Sequence, residues 1–192
     1  MKPEDIGKAV QANPYFPLVP GRTYIYKGEG ETVTYMVTKE TREILGVRCA
    51  VIHDVVTKDN GEVIEDTTDW YAQDTQGNVW YFGEVALNLV NGVVHNLHGS
   101  WMAGVDGALP GIIMKAVPVV GTMYRQEFSL GTAEDLAEVV SVTGSATAAG
   151  AKCGGNCLRT RDFTPVEPGV NVFKYYAPGV GVIVEDNKDK GP

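Results

Sequence analysis

Hydrophobic and polar residues alternate along most of the chain, and from Gly21 onward the period is two. Tyr24-Ile25-Tyr26 leads through Gly28-Glu29-Gly30 into Val33-Thr34-Tyr35-Met36-Val37, a hairpin pattern. A longer run over 44–57 carries Val47, Cys49, Val51, His53 and Val55 on one face. Alternation of this kind marks strands with one face turned inward. Lys58-Asp59-Asn60-Gly61 and Asn91-Gly92 are hairpin turns, because Asn-Gly supplies the positive φ that a tight two-residue turn needs. A return strand over 62–73, the turn Asp74-Thr75-Gln76-Gly77 and the run Asn78–Phe82 follow. Extended runs recur at 87–90, 93–97, 122–129, 137–143, 157–164, 171–177 and 180–185. Roughly ten short strands with frequent turns and no room for crossover helices predict an antiparallel all-β fold. The one helical spacing is at the start, where Pro3, Glu4, Asp5, Ile6 and Val10 predict a short helix that Asn13-Pro14 ends.

A sheet this wide curls into a barrel or a strongly curved half-barrel, or it splits into layers. Bulky rings occur on both faces of the hairpin 70–82, Trp70 opposing Tyr71 and Trp80 opposing Tyr81, so both faces are expected to be covered. Gly99–Gly121 fits neither period. Its glycines and its two prolines, Pro110 and Pro118, argue against an interior strand, while Trp101, Met102, Leu109, Ile112 and Ile113 are too apolar for solvent. It is expected to lie as an irregular lid over the open face, with Trp101 against the hairpin and Asp106 at the rim. The predicted organisation is an N-terminal arm with its helix over 1–20, one antiparallel β domain over 21–186 and a disordered tail over 187–192.

Composition narrows the partners. The chain has 192 residues and a formal net charge of −8, with no basic cluster that would neutralise phosphates. Nucleic acid and anionic membrane surfaces are therefore excluded as partners, and no apolar run is long enough for a transmembrane helix. The first residues, MKPEDIGKAVQANPYF, have no signal-peptide apolar region. Cys153 and Cys157 flank Gly-Gly-Asn, a loop compatible with a disulfide or with two free thiols. Cys49, between Val47 and Val51, reads as a small buried hydrophobe. The missing signal-peptide region leaves a cytoplasmic chain or an exported, already trimmed one, and cysteine usage leans toward the second, secreted or periplasmic.

Several long motifs carry a resemblance. These are Asn-Pro-Tyr-Phe-Pro-Leu (13–18), Asp-Trp-Tyr-Ala-Gln-Asp (69–74) and Gly-Asn-Val-Trp-Tyr-Phe-Gly-Glu (77–84), then Gly-Ser-Trp (99–101), Gly-Val-Asp-Gly-Ala (104–108), Ala-Glu-Asp (133–135) and Lys-Tyr-Tyr-Ala-Pro-Gly-Val-Gly (174–181). On these the chain resembles a family of small, mostly uncharacterised exported bacterial all-β proteins. The closing Tyr-Tyr-Ala-Pro-Gly-Val-Gly is also similar to the last hairpin of curved-sheet periplasmic carriers of the lipoprotein-sorting type. The resemblance implies export and an all-β fold, and it supplies no catalytic residue.

Candidate chemistry is sparse. Asp74-Thr75-Gln76-Gly77-Asn78 has oxygen donors but lacks the alternating acids and closing glutamate of a calcium loop, so it reads as a turn. His95 and His98 are three apart and face opposite sides of a strand. No metal is assigned, and His95, His98 and Glu84 are the ligands such a site would use. Asp69, Glu84, Asp106, Glu127, Glu134 and Asp135 sit among apolar or aromatic residues, so each is paired, protonated or functional. Arg22, Arg48, Arg125 and Lys174 are the cations available to pair with them. No nucleophile elbow, dinucleotide fingerprint or phosphate loop is present, and no cofactor is expected. The function these features favour is an exported binding protein holding a small apolar or amphipathic ligand in an aromatic-lined concavity, with Trp70, Trp80, Tyr81, Trp101 and Tyr124 as its contacts. The alternative is an enzyme on the same scaffold, a hydrolase, lyase or isomerase, using Glu84, Asp106, Glu127 or His98. Oligomeric state is not legible.

Overall fold

A computed structural model describes residues 11–186, so the helix expected over 3–10 and the tail expected over 187–192 lie outside the described residues. Every regular element within them is a β-strand. β1 (Thr23–Gly28), β2 (Glu31–Ile44), β3 (Val47–Lys58), β4 (Val63–Gln73) and β5 (Val79–Val90) form an antiparallel meander. Along its far side β5 pairs in turn with β6 (Val93–Asn96), β7 (Trp101–Met102) and β8 (Leu109–Met114). β10 (Glu127–Phe128) then pairs with β8 to complete a nine-stranded sheet. A second sheet of five strands runs β14 (Gly181–Asp186), β13 (Asn171–Ala177), β12 (Lys152–Phe163), β11 (Leu136–Thr147), β9 (Met123–Arg125). The run 122–129, continuous in the sequence pattern, is thus two strands in two sheets. The chain crosses between them at buried Gln126, whose backbone N–H donates to Asp135 O at 2.7 Å.

The large sheet curls into a half-barrel, and irregularities in register sit where it bends. β2 gains residues against β3 between Val37 and Thr41, where the Thr38 hydroxyl donates to Val51 O at 2.8 Å. A second bulge lies between Trp70/Gly83 and Tyr71/Tyr81 in β4 and β5. Bulges of this kind raise local twist and bend the strand that carries them. The fold is closed on one side, where β9 and β10 tie the two sheets together. On the other side β1 and β14 are the terminal strands of their sheets.

Two expectations are corrected. The pattern carried a strand through residue 45, but the chain turns there, with Leu45 and Gly46 at φ 52° and 76°. A leucine in a left-handed turn gives no warning in the sequence. The segment Gly99–Gly121 is not an irregular cover over the sheet: it supplies β7 and β8, and β8 is an interior strand between β5 and β10. Glycine makes this possible. A Cβ on Gly111 would run into the Gln126 carbonyl, and one on Gly83, at φ 120°, would meet Met102 Cα at 2.8 Å. Pro110 sits at the end of β8, beyond the residues that pair with β5.

The principal core joins both sheets, with Val37, Ile52, Val79, Phe82 and Met114 from the large one and Val139 and Leu158 from the small one. Asn13, which is 2% exposed, locks the N-terminal arm to it. Its Nδ2 donates to Gly77 O and Lys115 O, its Oδ1 accepts from the N–H groups of Tyr15 and Phe16, and its own N–H donates to Gln73 Oε1. Pro14 O accepts from Gly179 N–H at 2.7 Å, and the Phe16 ring lies 5.1 Å from Tyr71. The motifs 13–18, 69–74, 77–84 and 174–181 therefore converge on one junction. Its effect is to place Phe16 and Pro17 at the open side.

Candidate functional site

A cavity of about 820 Å³ opens between β1 and β14. Its large-sheet wall carries Tyr24, Tyr26, Val33, Tyr35, Asp54 and Tyr71; its small-sheet wall carries Lys174, Tyr176, Val182 and Val184. Phe16 and Pro17 of the arm and the hairpin tip Ala148-Ala149-Gly150 complete it. The pairing explains the wall. Tyr24 opposes Tyr35 and Tyr35 opposes Asp54, so these side chains share one face, and Tyr26 with its partner Val33 continues it.

Behind the tyrosines lies a layer of acids on the same face, since Asp69 pairs with Glu84 across β4 and β5. Buried Asp69 accepts from Tyr81 OH at 2.6 Å and from Tyr71 OH at 3.3 Å. Burial pushes its carboxyl up to about 6, against the pull of those two hydroxyls. Glu84 is pushed up to about 9 by burial and then by Asp69 and Glu127. Glu127 rises to about 8, from burial and Asp135, with Lys174 opposing. Asp54 rises to about 7, from burial and then Asp69 and Glu65. Lys174 lies 3.2 Å from Asp162 and 4.0 Å from Glu185. Burial works against its charge, but these two carboxylates outweigh it and hold the ammonium well above its ordinary range.

The aromatic residues expected to contact ligand fall elsewhere. Trp70 is buried with the Arg42 guanidinium 4.2 Å from its ring. Trp80 Nε1 donates to Asp74 Oδ2 at 2.8 Å, clamping the turn that Asp74 organises by accepting also from Gln76 and Asn78. Tyr81 stacks on Tyr71 at 4.4 Å, and Trp101, 6% exposed, meets Tyr81 edge-on at 5.4 Å. Trp101 does contact the hairpin, as expected, but from within the core. Tyr124 is buried with Lys115 Nζ 5.2 Å from its ring. None of these five lines the cavity; their neighbour Tyr71 does.

Of the candidate catalytic groups, Glu84 and Glu127 both lie close enough to Asp69 for its charge to raise them, and Glu127 raises Glu84 as well. Asp106 occupies an exposed turn at φ 50°, and His95 and His98 are exposed. Among the described residues no three His, Cys, Asp or Glu side chains gather as a metal site. Arg125 pairs with Glu134 at 3.3 Å. Sequence reasoning missed Tyr24, Tyr26, Tyr35, Asp54 and Tyr176 as a set. The available signal was the period-two Tyr24-Ile25-Tyr26 facing Tyr35, which gives one aromatic face but not what stands opposite.

Cys153 and Cys157 form a disulfide, with Cα atoms 5.4 Å apart. It spans a bulge in β12, where Gly144 opposes Cys157 and Ala146 opposes Cys153. Cys49 is free and buried, and burial pushes its thiol up to about 12. No helix among the described residues is long and apolar enough to cross a membrane. The chain matches no known family model, curated protein or solved structure.

Proposed function

We propose that the protein is an exported binding protein that holds a small apolar or amphipathic molecule in the cavity between β1 and β14. The observation that carries this reading is the cavity itself: about 820 Å³, within the range of ligand sites, with tyrosine and valine walls among charged groups such as Asp54, Lys174 and Glu185. The Cys153–Cys157 disulfide supports export, since such bonds persist in oxidising compartments. An enzyme on this scaffold is the second reading. It has in its favour Glu84 and Glu127, whose carboxyls burial and Asp69 push above their ordinary range, but neither lines the cavity.

The test is to fill the cavity from within. Val33→Trp places a large ring on its wall, and thermal-shift titration with fatty acids, lipids and aromatic compounds compares it with the wild type. The wild type is expected to gain melting temperature with at least one class, and the folded Val33→Trp variant to lose that response. Equal responses from both proteins, or none from the wild type, would reject the cavity as the binding site.

A further inference from the structure

The polar groups of the cavity are unevenly matched. Tyr24, Tyr35 and Asp54 form one cross-strand row, and Tyr26 stacks on Tyr24 at 6.3 Å with the rings 9° from parallel. Tyr35 meets Tyr24 at 6.0 Å. All four line the cavity, and two of their polar atoms, Asp54 Oδ1 and the Tyr35 hydroxyl, are buried with no hydrogen-bond partner among the described residues. A carboxylate oxygen only accepts and a phenol oxygen can also accept, so a single donor entering from the cavity can serve both. Lys174 on the opposite wall is engaged by Asp162 and Glu185. Around the cavity the carboxyls of Glu29, Glu31, Asp54, Glu185 and Asp186 outnumber the ammoniums of Lys27 and Lys174, which favours positive charge within it. Tyrosine faces attract cations as well.

We propose, resting on the binding function above, that the cavity selects an amphipathic amine, a protonated primary or secondary amine whose N–H groups meet Asp54 and Tyr35. Its apolar body lies along Val33, Val182 and Val184, and the rings of Tyr24 and Tyr26 flank its charge. A quaternary ammonium has no N–H to offer and binds less well. A carboxylate head meets like charge and is rejected.

Three compounds of one shape separate these terms: 4-phenylbutylammonium, 4-phenylbutanol and 4-phenylbutyrate, titrated calorimetrically at pH 8. The amine is expected to bind about tenfold or more tighter than the alcohol, the span of one charge-assisted hydrogen bond, with the acid weakest. Asp54→Asn is expected to abolish the amine's advantage over the alcohol, and a cooperative thermal transition close to the wild type's shows the variant to be folded. Tyr35→Phe, which removes one hydroxyl and keeps the ring, is expected to reduce the advantage about threefold. An alcohol or acid that binds the wild type as tightly as the amine overturns amine selection and leaves the binding function standing. So does an advantage that survives both substitutions. Binding of none of the three overturns both.

Discussion

Glu84 pairs across the strands with Asp69 on one side and Trp101 on the other, a setting in which ionisation is expensive. Its folded value near 9 stands far above the ordinary 4.5. Below pH 4.5 the group is protonated folded or unfolded. Between 4.5 and 9 the unfolded chain releases the proton and the folded protein keeps it, so stability falls as pH rises. Glu127, Asp54 and Asp69 act in the same direction over narrower windows, with folded values near 8, 7 and 6. The melting temperature is therefore expected to fall from pH 5 to pH 9, each such group contributing at most about 1.4 kcal/mol per pH unit. Glu84→Gln should flatten the curve and stabilise the protein at pH 8. Parallel melting curves for variant and wild type across that range would show Glu84 to be solvated instead.

Strand pairing decides what single elements do, and pairing is only partly written locally. Lys58–Gly61 and Asn91-Gly92 are turns in the structure as in the pattern, with Gly61, Asn91 and Gly92 all at positive φ. Leu45-Gly46 was hidden because leucine seldom adopts that conformation. β8 was hidden more deeply, since Leu-Pro-Gly-Ile-Ile-Met reads locally as a breaker. It becomes a strand because Gly111 admits the Gln126 backbone where no side chain would be tolerated, as Gly83 admits that of β7 beside it. As part of that sheet Trp101 is core, so Trp101→Ala is expected to cost about 3–5 kcal/mol in denaturant unfolding. Loss of ligand response at unchanged stability would restore it to a lid. In β12 the disulfide closes a very short loop, and Cys153→Ser with Cys157→Ser is expected to cost only about 2 kcal/mol. Thiol titration of the folded oxidised protein should find no reactive cysteine. Unfolding without reduction should release one, Cys49, and a count of three would contradict the bond.

At the scale of the molecule, the sequence announces an all-β chain too wide to stay flat, and the half-barrel follows from that. Where the barrel fails to close does not follow. The open side depends on β1 and β14, strands more than 150 residues apart, which among the described residues are the outermost strands of different sheets. The aromatic hairpin 70–82 drew attention because its rings are dense in the sequence, yet density marks the core here, and only Tyr71 reaches the cavity. The cavity's own tyrosines are scattered over four strands, each unremarkable alone. A cavity of that size between the two outer strands is the feature on which the proposed function rests. Native mass spectrometry of the protein recovered from its own cells tests it most directly. The account predicts a mass excess that disappears on denaturation and is absent from Val33→Trp. An unadorned polypeptide mass, together with no thermal shift against lipids, fatty acids, aromatic compounds or amines, would contradict it.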